Sequence, residues 1–329
     1  MVPTDKGVAI RQDGRWTLVD ESRGLSTPVV SAVLRDRQGS LWVGLAGRGL
    51  ARCLGSGEWE GWTQAQGLAS NVIWNILRDK KGGLWVGTGK GLTRLQGQPP
   101  VRTPTAKDGL GGENVRWLGE TSDGTIWTIT KPGWLARIDP TTGKIRPVGK
   151  QDGLKAETPY RGLVDRAGRM WVAASTGLFR NDTPTASCRF VPVNPPDVLV
   201  RGAWSVSEDK LGSVWAVGAD GLWRLKDGRW RRYSRADGLL SDSPYIVLVA
   251  GDNSLWLRHR YDAGVERVEM EGDRIVRSTA IVPAGTGSVD VTAFHGFDAF
   301  GAFWRGTARG VLALRDGFWN HYGTEDGLI

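Results

Sequence analysis

A short sequence motif recurs seven times along the chain, and this repetition restricts the possible folds more than any other feature. Each copy has an acidic or polar residue, a turn, an apolar residue and then a tryptophan, as in DRQGSLW at residues 36–42. The seven tryptophans are spaced 41 to 48 residues apart: Trp42, Trp85, Trp127, Trp171, Trp215, Trp256 and Trp304. A period in the forties is typical of folds built from repeated supersecondary units.

Each repeat predicts two β-hairpins. Its head is an apolar run, a turn at D-x-x-G and a second run such as LWVG, where Asp caps the turn and Gly accepts a positive φ. Its tail begins with GL or GV and ends in an aromatic run, as in GLWRLKDGRWRRY at residues 221–233. The D-G pair in that tail is a strong hairpin signal. Two hairpins give four antiparallel strands per repeat.

The repeats together predict a ring of sheets. Apolar runs of about 4–8 residues between frequent glycines and prolines favour strands over helical repeats. One four-stranded sheet cannot bury both of its faces, whereas a closed ring of sheets can and leaves no long exposed edge. We therefore predict an all-β fold, a seven-bladed β-propeller of four-stranded antiparallel blades. The repeat tryptophan then packs between adjacent blades.

The repeat runs from end to end, so we predict one domain over residues 1–329. Residues 1–25 form a tail without a head, and this tail either closes the ring by completing the last blade or comes from a preceding blade. The chain stops where a new repeat would start. We therefore expect it to be a fragment of a longer protein.

Composition argues against several classes of function. The formal net charge is +8, but lysine and arginine are scattered over all repeats, which favours a solvated surface over a nucleic-acid site. Cys53 and Cys188 lie about three repeats apart, so no disulfide or zinc site is expected. The three histidines lack metal-site spacing, and no nucleophile elbow or P-loop is present. We expect no catalytic set, no metal and no cofactor.

One position in the repeat is a candidate for ligand binding. Five residues before the turn aspartate, in the predicted innermost strand, the heads carry Ser31, Trp74, Arg116, Tyr160, Trp204, Tyr245 and Ala293. Neighbouring candidates are Trp117, Arg161 and Arg201. The innermost strands of a propeller begin near the mouth of its channel, where aromatic rings and arginines can stack on sugars or bind anionic groups. Packing between blades is the alternative role for each residue.

The heads and tails, together with the recurring DGL links, resemble the two-component regulator propeller repeat. The repeat at residues 66–92 matches its consensus best, and the likeness weakens in the third, fourth and sixth repeats. The resemblance implies a non-catalytic sensor region of a bacterial membrane-bound signalling protein, in its periplasmic or extracellular portion. It also implies a small extracellular ligand such as an oligosaccharide, downstream signalling domains in the same chain, and a homodimer of the full-length protein.

Two other classes of function remain open. Residues 124–145 resemble a repeat of streptogramin-type lyases, which are seven-bladed propellers, but His259 and Glu266 do not recreate the His and Glu motif that such lyases need. A protein-interaction scaffold is the third class, since propeller faces commonly bind proteins. A scaffold would present a flat apolar patch, whereas a sensor would present an aromatic-lined depression.

Overall fold

The computed structural model describes residues 2–4, 7–12, 15–19, 30–36, 39–45, 47–53, 59–95, 104–155, 158–184, 188–194, 202–219, 221–259, 265–281, 295–297, 303–307, 310–315 and 318–322. The chain divides into two compact units, one formed by Met1–Leu118 with Asp290–Ile329 and the other by Gly119–Val289. The assignment of a single domain therefore stays a prediction. None of the helices in these ranges is long and apolar enough to cross a membrane.

The strands form antiparallel sheets in chain order. The first sheet contains β1 (Val2–Thr4), β2 (Gly7–Gln12) and β3 (Arg15–Val19). The second contains β4 (Val30–Arg35), β5 (Leu41–Leu45), β6 (Gly49–Cys53) and β7 (Trp59–Trp62). The third contains β8 (Ile73–Arg78), β9 (Leu84–Thr88) and β10 (Gly91–Leu95).

Five further sheets each have four strands. They are β11 (Asn114–Glu120), β12 (Ile126–Lys131), β13 (Trp134–Ile138) and β14 (Ile145–Val148); then β15 (Pro159–Val164), β16 (Met170–Ala174), β17 (Gly177–Asn181) and β18 (Val191–Pro192). Next come β19 (Ala203–Glu208), β20 (Val214–Gly218), β21 (Gly221–Lys226) and β22 (Arg229–Tyr233); then β23 (Pro244–Val249), β24 (Leu255–His259), β25 (Val265–Glu271) and β26 (Arg274–Ile281). The last are β27 (His295–Phe297), β28 (Phe303–Thr307), β29 (Gly310–Arg315) and β30 (Phe318–Tyr322).

The predicted all-β class and the antiparallel blades are confirmed. Each of the seven predicted heads forms the first two strands of a sheet, and within the described ranges six sheets have four strands and two have three. The N-terminal tail forms the separate sheet β1–β3 and does not pair with β27–β30, which has four strands of its own. Within the first unit, β1 contacts both β4 and β28.

The core lies between successive sheets, and the repeat tryptophans are buried in it. Six of them are at most 7 % exposed: Trp42, Trp85, Trp127, Trp171, Trp215 and Trp256. Trp171 packs with Leu178 of its own sheet and with Ala203 and Val214 of the next one. Adjacent sheets thus share one hydrophobic core. Trp304 lies on β28, and its side chain falls outside the described part of the structure.

The turn aspartate of the head connects the turn to this core. Asp79 accepts the Gly83 backbone N–H through Oδ1 at 2.6 Å and the Trp85 indole N–H through Oδ2 at 2.8 Å. The same two bonds recur at Asp36, Asp165 and Asp209. A carboxylate has enough acceptor sites for both, so one residue fixes the turn and satisfies the buried indole.

An arginine that the sequence analysis did not single out completes this arrangement. In six sheets the residue opposite the repeat tryptophan on the next strand is an arginine: Arg52, Arg94, Arg137, Arg180, Arg224 and Arg267. The guanidinium of Arg94 lies 5.0 Å from the Trp85 ring centre and 3.4 Å from the Asp79 carboxylate. Such contacts combine cation–π attraction with charge pairing. The repeat aspartates and arginines are therefore structural.

Four links between sheets are short 3-10 helices: Gln64–Gln66, Ala106–Asp108, Lys150–Asp152 and Arg235–Asp237. Three of these end in the Asp of the DGL sequence, which turns back to accept a backbone N–H, as Asp108 does from Thr105 at 2.8 Å. The next glycine is left-handed and the next leucine is buried, as in Gly109 (φ 102°) and Leu110. In the DGL link, the Asp thus caps the 3-10 helix, the Gly reverses the chain and the Leu is buried in the core.

Candidate ligand-binding site

A β-bulge recurs at one position in five sheets. The pairing of the first strand with the second shifts by one residue there, and the residues passed over are Ser31, Trp74, Tyr160, Trp204 and Tyr245. A bulge leaves its extra residue outside the ladder and redirects its side chain, and bulges are frequent beside functional sites. All five residues occupy the position predicted for ligand binding.

The bulges place aromatic rings at the surface. Trp74, Tyr160 and Tyr245 are 38 %, 43 % and 38 % exposed, whereas Trp204 is half-buried. Ser31 is also half-buried and donates its hydroxyl to the Gly44 carbonyl at 3.1 Å. These three rings are partly open to solvent, in contrast to the repeat tryptophans.

In the first unit the candidate residues form a cation–π pair. The Arg116 guanidinium lies 4.0 Å from the ring centre of Trp74. Both side chains are exposed, and desolvation by the surrounding protein lowers the pKa of Arg116. Trp117 is half-buried on the same strand, β11. Trp74 and Arg116 thus offer an aromatic face beside a charge.

In the second unit the candidate residues converge from three sheets. Strands β15 and β23 both lie beside β19, so their bulges are neighbours. The rings of Trp204 and Tyr245 have centres 5.6 Å apart and are tilted by 47°. Burial lowers the pKa of Arg161, and Tyr245 partly opposes this shift. We call Tyr160, Arg161, Trp204 and Tyr245 the bulge cluster.

Two predicted positions cannot be placed. Arg201 and Ala293 lie outside the described residues. Among the residues that are described, no group of three or more His, Cys, Asp and Glu side chains is arranged to hold a metal ion.

A concave surface elsewhere in this unit was not predicted from the sequence. A cleft of about 650 Å³ is lined by Trp134 together with Pro132, Pro147, Lys150 and Gln151, among others. Trp134 is 49 % exposed and is an extra residue between Gly133 and Leu135, where four other tails read GL directly. That insertion is the sequence signal that could have identified the cleft.

His259 and Glu266 are paired but inaccessible. His259 Nε2 lies 2.6 Å from Glu266 Oε2, and the side chains are 1 % and 0 % exposed. Glu266 also accepts the Leu240 backbone N–H at 2.9 Å and contacts the Ser278 hydroxyl. This geometry ties the link after β22 to β25 and β26.

Comparison with known proteins gives a family for the repeats. Residues 24–47 and 67–90 match the two component regulator propeller family. No curated protein sequence matches the chain at a significant level.

Solved structures share the fold at low sequence identity. The virginiamycin B lyase from Staphylococcus aureus is 12 % identical, with a TM-score of 0.59 over 84 % of this chain and 91 % of that one. The extracellular domain of BT4673 from B. thetaiotaomicron is 17 % identical, with a TM-score of 0.55 over 98 % of this chain. An ancestral GH74 enzyme is 12 % identical, with a TM-score of 0.61 over 89 % of this chain and 46 % of that one.

These likenesses concern the fold alone, and this chain covers 48 % of the BT4673 domain. The match at residues 24–47 and 67–90 confirms the repeat recognised in the sequence. The chain therefore carries two component regulator propeller repeats on an all-β propeller fold.

Proposed function

We propose that this chain is a non-catalytic ligand-sensing propeller of a bacterial signalling protein. It lies outside the cytoplasmic membrane and binds a small carbohydrate-like ligand at the bulge cluster. One observation carries the proposal: the same bulge recurs in five sheets, and four of the five bulged residues are aromatic. Aromatic faces stack well on the apolar faces of sugar rings.

The likeness to extracellular domains of two component systems supports the signalling role. Ligand binding would bias the geometry of downstream domains in the same chain, because a ligand favours the conformation to which it binds more tightly. A homodimer of the full-length protein would pass this bias to the output domains.

A lyase is the alternative suggested by the structural neighbours. The His259–Glu266 pair is the only candidate acid–base pair that the sequence raised. Both side chains are buried, and Glu266 also accepts the Leu240 backbone N–H. A substrate could not reach this pair without rearrangement of β24 and β25. This supports the non-catalytic reading.

The proposal is tested with a thermal-shift and calorimetric screen of the chain against oligosaccharides. A ligand that binds the folded state raises the melting temperature by mass action. We expect Trp204→Ala to weaken binding by about tenfold, because it removes one stacking face. Trp204→Phe should retain most of the affinity.

Trp134→Ala is the matched control, since it removes an exposed indole from the cleft instead of the bulge cluster. Loss of binding in Trp134→Ala but not in Trp204→Ala would move the ligand to the cleft and contradict the proposed site. No shift with any compound, from a folded protein, would contradict the sensor function and favour a protein-interaction scaffold.

A further inference from the structure

The bulge cluster contains one charged side chain, that of Arg161. Arg161 follows the bulged Tyr160 on β15 and is exposed. Within the described ranges it forms no ion pair, whereas Arg94 and Arg224 each pair with the buried carboxylate of their repeat. Arg161 therefore differs from Arg94 and Arg224 in having no counter-ion among the described residues.

The Arg161 guanidinium is partly desolvated although its side chain remains exposed to solvent. Surrounding protein desolvates the guanidinium and lowers its pKa, although an arginine side chain stays charged at neutral pH. Such a group gains more from an anionic partner than a fully hydrated surface arginine does, because part of its desolvation is already complete. The site is therefore suited to an anion.

The position of Arg161 restricts the kind of ligand that can carry the anionic group. The rings of Trp204 and Tyr245 have centres 5.6 Å apart, and Arg161 lies on β15 beside β19, the strand that carries Trp204, so the cation and the two rings lie on neighbouring strands. One ligand that satisfies both features needs an anionic group attached directly to a ring. A planar guanidinium matches a planar carboxylate through two parallel hydrogen bonds.

We propose that the bulge cluster selects sugar acids, in which a pyranose ring carries a carboxylate. The ring stacks on Trp204 and Tyr245, and the carboxylate pairs with Arg161. This inference rests on the proposed function, because it names the substrate class of the same site.

The experiment is isothermal titration of matched acidic and neutral sugars into the whole chain. The probes are glucuronate against glucose and galacturonate against galactose, each as monosaccharide and as β-linked disaccharide, with glucose 6-phosphate as a second anion. The proteins are the wild type, Arg161→Gln, Arg161→Lys and the control Arg229→Gln. Arg229 is an exposed arginine on β22, so its variant makes the same change in net charge away from the cluster.

We expect the wild type to bind at least one uronate about tenfold or more tightly than its neutral partner, as a charge-assisted contact should provide. Arg161→Gln should abolish this preference, because the uronate affinity falls to about that of the neutral sugar. Arg161→Lys should restore part of it, and Arg229→Gln should behave as the wild type. Uronate affinity should fall with added salt, and neutral affinity should not.

Several outcomes would overturn the inference while leaving the sensor function intact. Equal affinity for acidic and neutral sugars would do so, as would an equal loss for both in Arg161→Gln. Tighter binding of glucose 6-phosphate than of the uronates would also show that the site does not select a carboxylate. Failure of every sugar to bind the folded wild type would overturn the proposed function as well.

Discussion

In four heads a single carboxylate performs two structural tasks, and two substituted heads preserve both by different means. Where Thr121 replaces the aspartate, Asp123 bonds the Thr121 hydroxyl at 2.7 Å, and that hydroxyl lies 3.3 Å from the Trp127 indole N–H. In the sixth head, Asp252 bonds the Ser254 hydroxyl, which accepts the Trp256 indole N–H at 3.1 Å. The buried indole is therefore satisfied in both, because an unpaired buried donor is expensive.

The repeat carboxylate gives the protein a specific dependence on acid. Burial raises the pKa of Asp36, but hydrogen bonds from Trp42 and Ser40 and the charges of Arg78 and Arg52 outweigh it, so the pKa lies below the usual 3.8. Such a group stabilises the folded state above its unfolded pKa, and this stability is lost as pH falls through the folded pKa. We therefore expect Asp36→Asn to cost about 1–3 kcal/mol at neutral pH and less in acid.

Urea unfolding at about pH 7 and about pH 3 measures this difference, because the free energy of unfolding is linear in denaturant. Glu271→Gln is the control: its side chain is exposed and, among the described residues, forms an ion pair with Arg274 alone, so its effect should be within about 0.5 kcal/mol at both pH values. An equal cost of Asp36→Asn at both pH values would show that its charge is not what stabilises the fold.

At the scale of the element, glycines in the hairpin turns and in the links between sheets are required for two separable reasons. Gly153 has φ 82° and Gly228 has φ 74°, so both are left-handed. A Cβ at Gly153 would lie 2.2 Å from the Phe190 carbonyl oxygen, whereas a Cβ at Gly228 would meet nothing within 4 Å. Comparing substitutions at Gly153 and Gly228 therefore separates the cost of backbone strain from the cost of a steric clash.

We expect Gly228→Ala to cost about 1–2 kcal/mol, the price of a left-handed alanine. Gly153→Ala should cost clearly more, because the segment that carries Phe190, just before β18, must also move. Thermal and urea unfolding of the two variants measure the difference. Equal losses would mean that the link relaxes freely away from Phe190.

Much of this element structure could be predicted from the sequence. The Asp and Gly residues of the heads identified the turns, and the short apolar runs identified the strands that flank them. The left-handed position of the turn is occupied by glycine in five heads and by Asn253 (φ 69°) in the sixth, a residue that tolerates this conformation. That substitution therefore left the turn intact.

The bulges and the repeat arginines were not predicted, for physical reasons. A bulge is a property of the pairing between two strands, so the sequence around Trp204 shows only an apolar alternation. The arginines follow their tryptophans by 9 to 11 residues, as Arg94 follows Trp85 and Arg267 follows Trp256, and this variable loop length hid them. That Arg161 forms no ion pair among the described residues depends on which side chains folding brings near it, and the sequence does not show this.

At the scale of the whole molecule, each sheet is stabilised mainly by its neighbours in the chain. Trp171 packs in a core shared by the sheets β15–β18 and β19–β22, both of which belong to the second compact unit. Repeat proteins of this kind distribute stability as local units joined by nearest-neighbour interfaces. A substitution that destabilises one core should therefore first increase local unfolding in the unit that contains it.

We expect Trp171→Leu to cost about 2–4 kcal/mol by leaving a cavity and removing the indole hydrogen bond to Asp165. Hydrogen exchange should increase more in residues 119–289 than in residues 1–118, since local opening follows local stability. Trp134→Leu, at an exposed indole, should leave exchange nearly unchanged. A uniform increase over both ranges would show that the chain unfolds as one cooperative unit.

The recurring bulge separates the part of the repeat that maintains the architecture from the part that can diversify. The residue passed over in the ladder contributes no pairing to it, so Ser31, Trp74 and Tyr160 occupy equivalent places in sheets of the same construction. A change of side chain there leaves the strand register and the buried tryptophan untouched. Duplication of one blade therefore supplies a new recognition position at no cost to folding, and a family built this way can acquire new ligands one residue at a time.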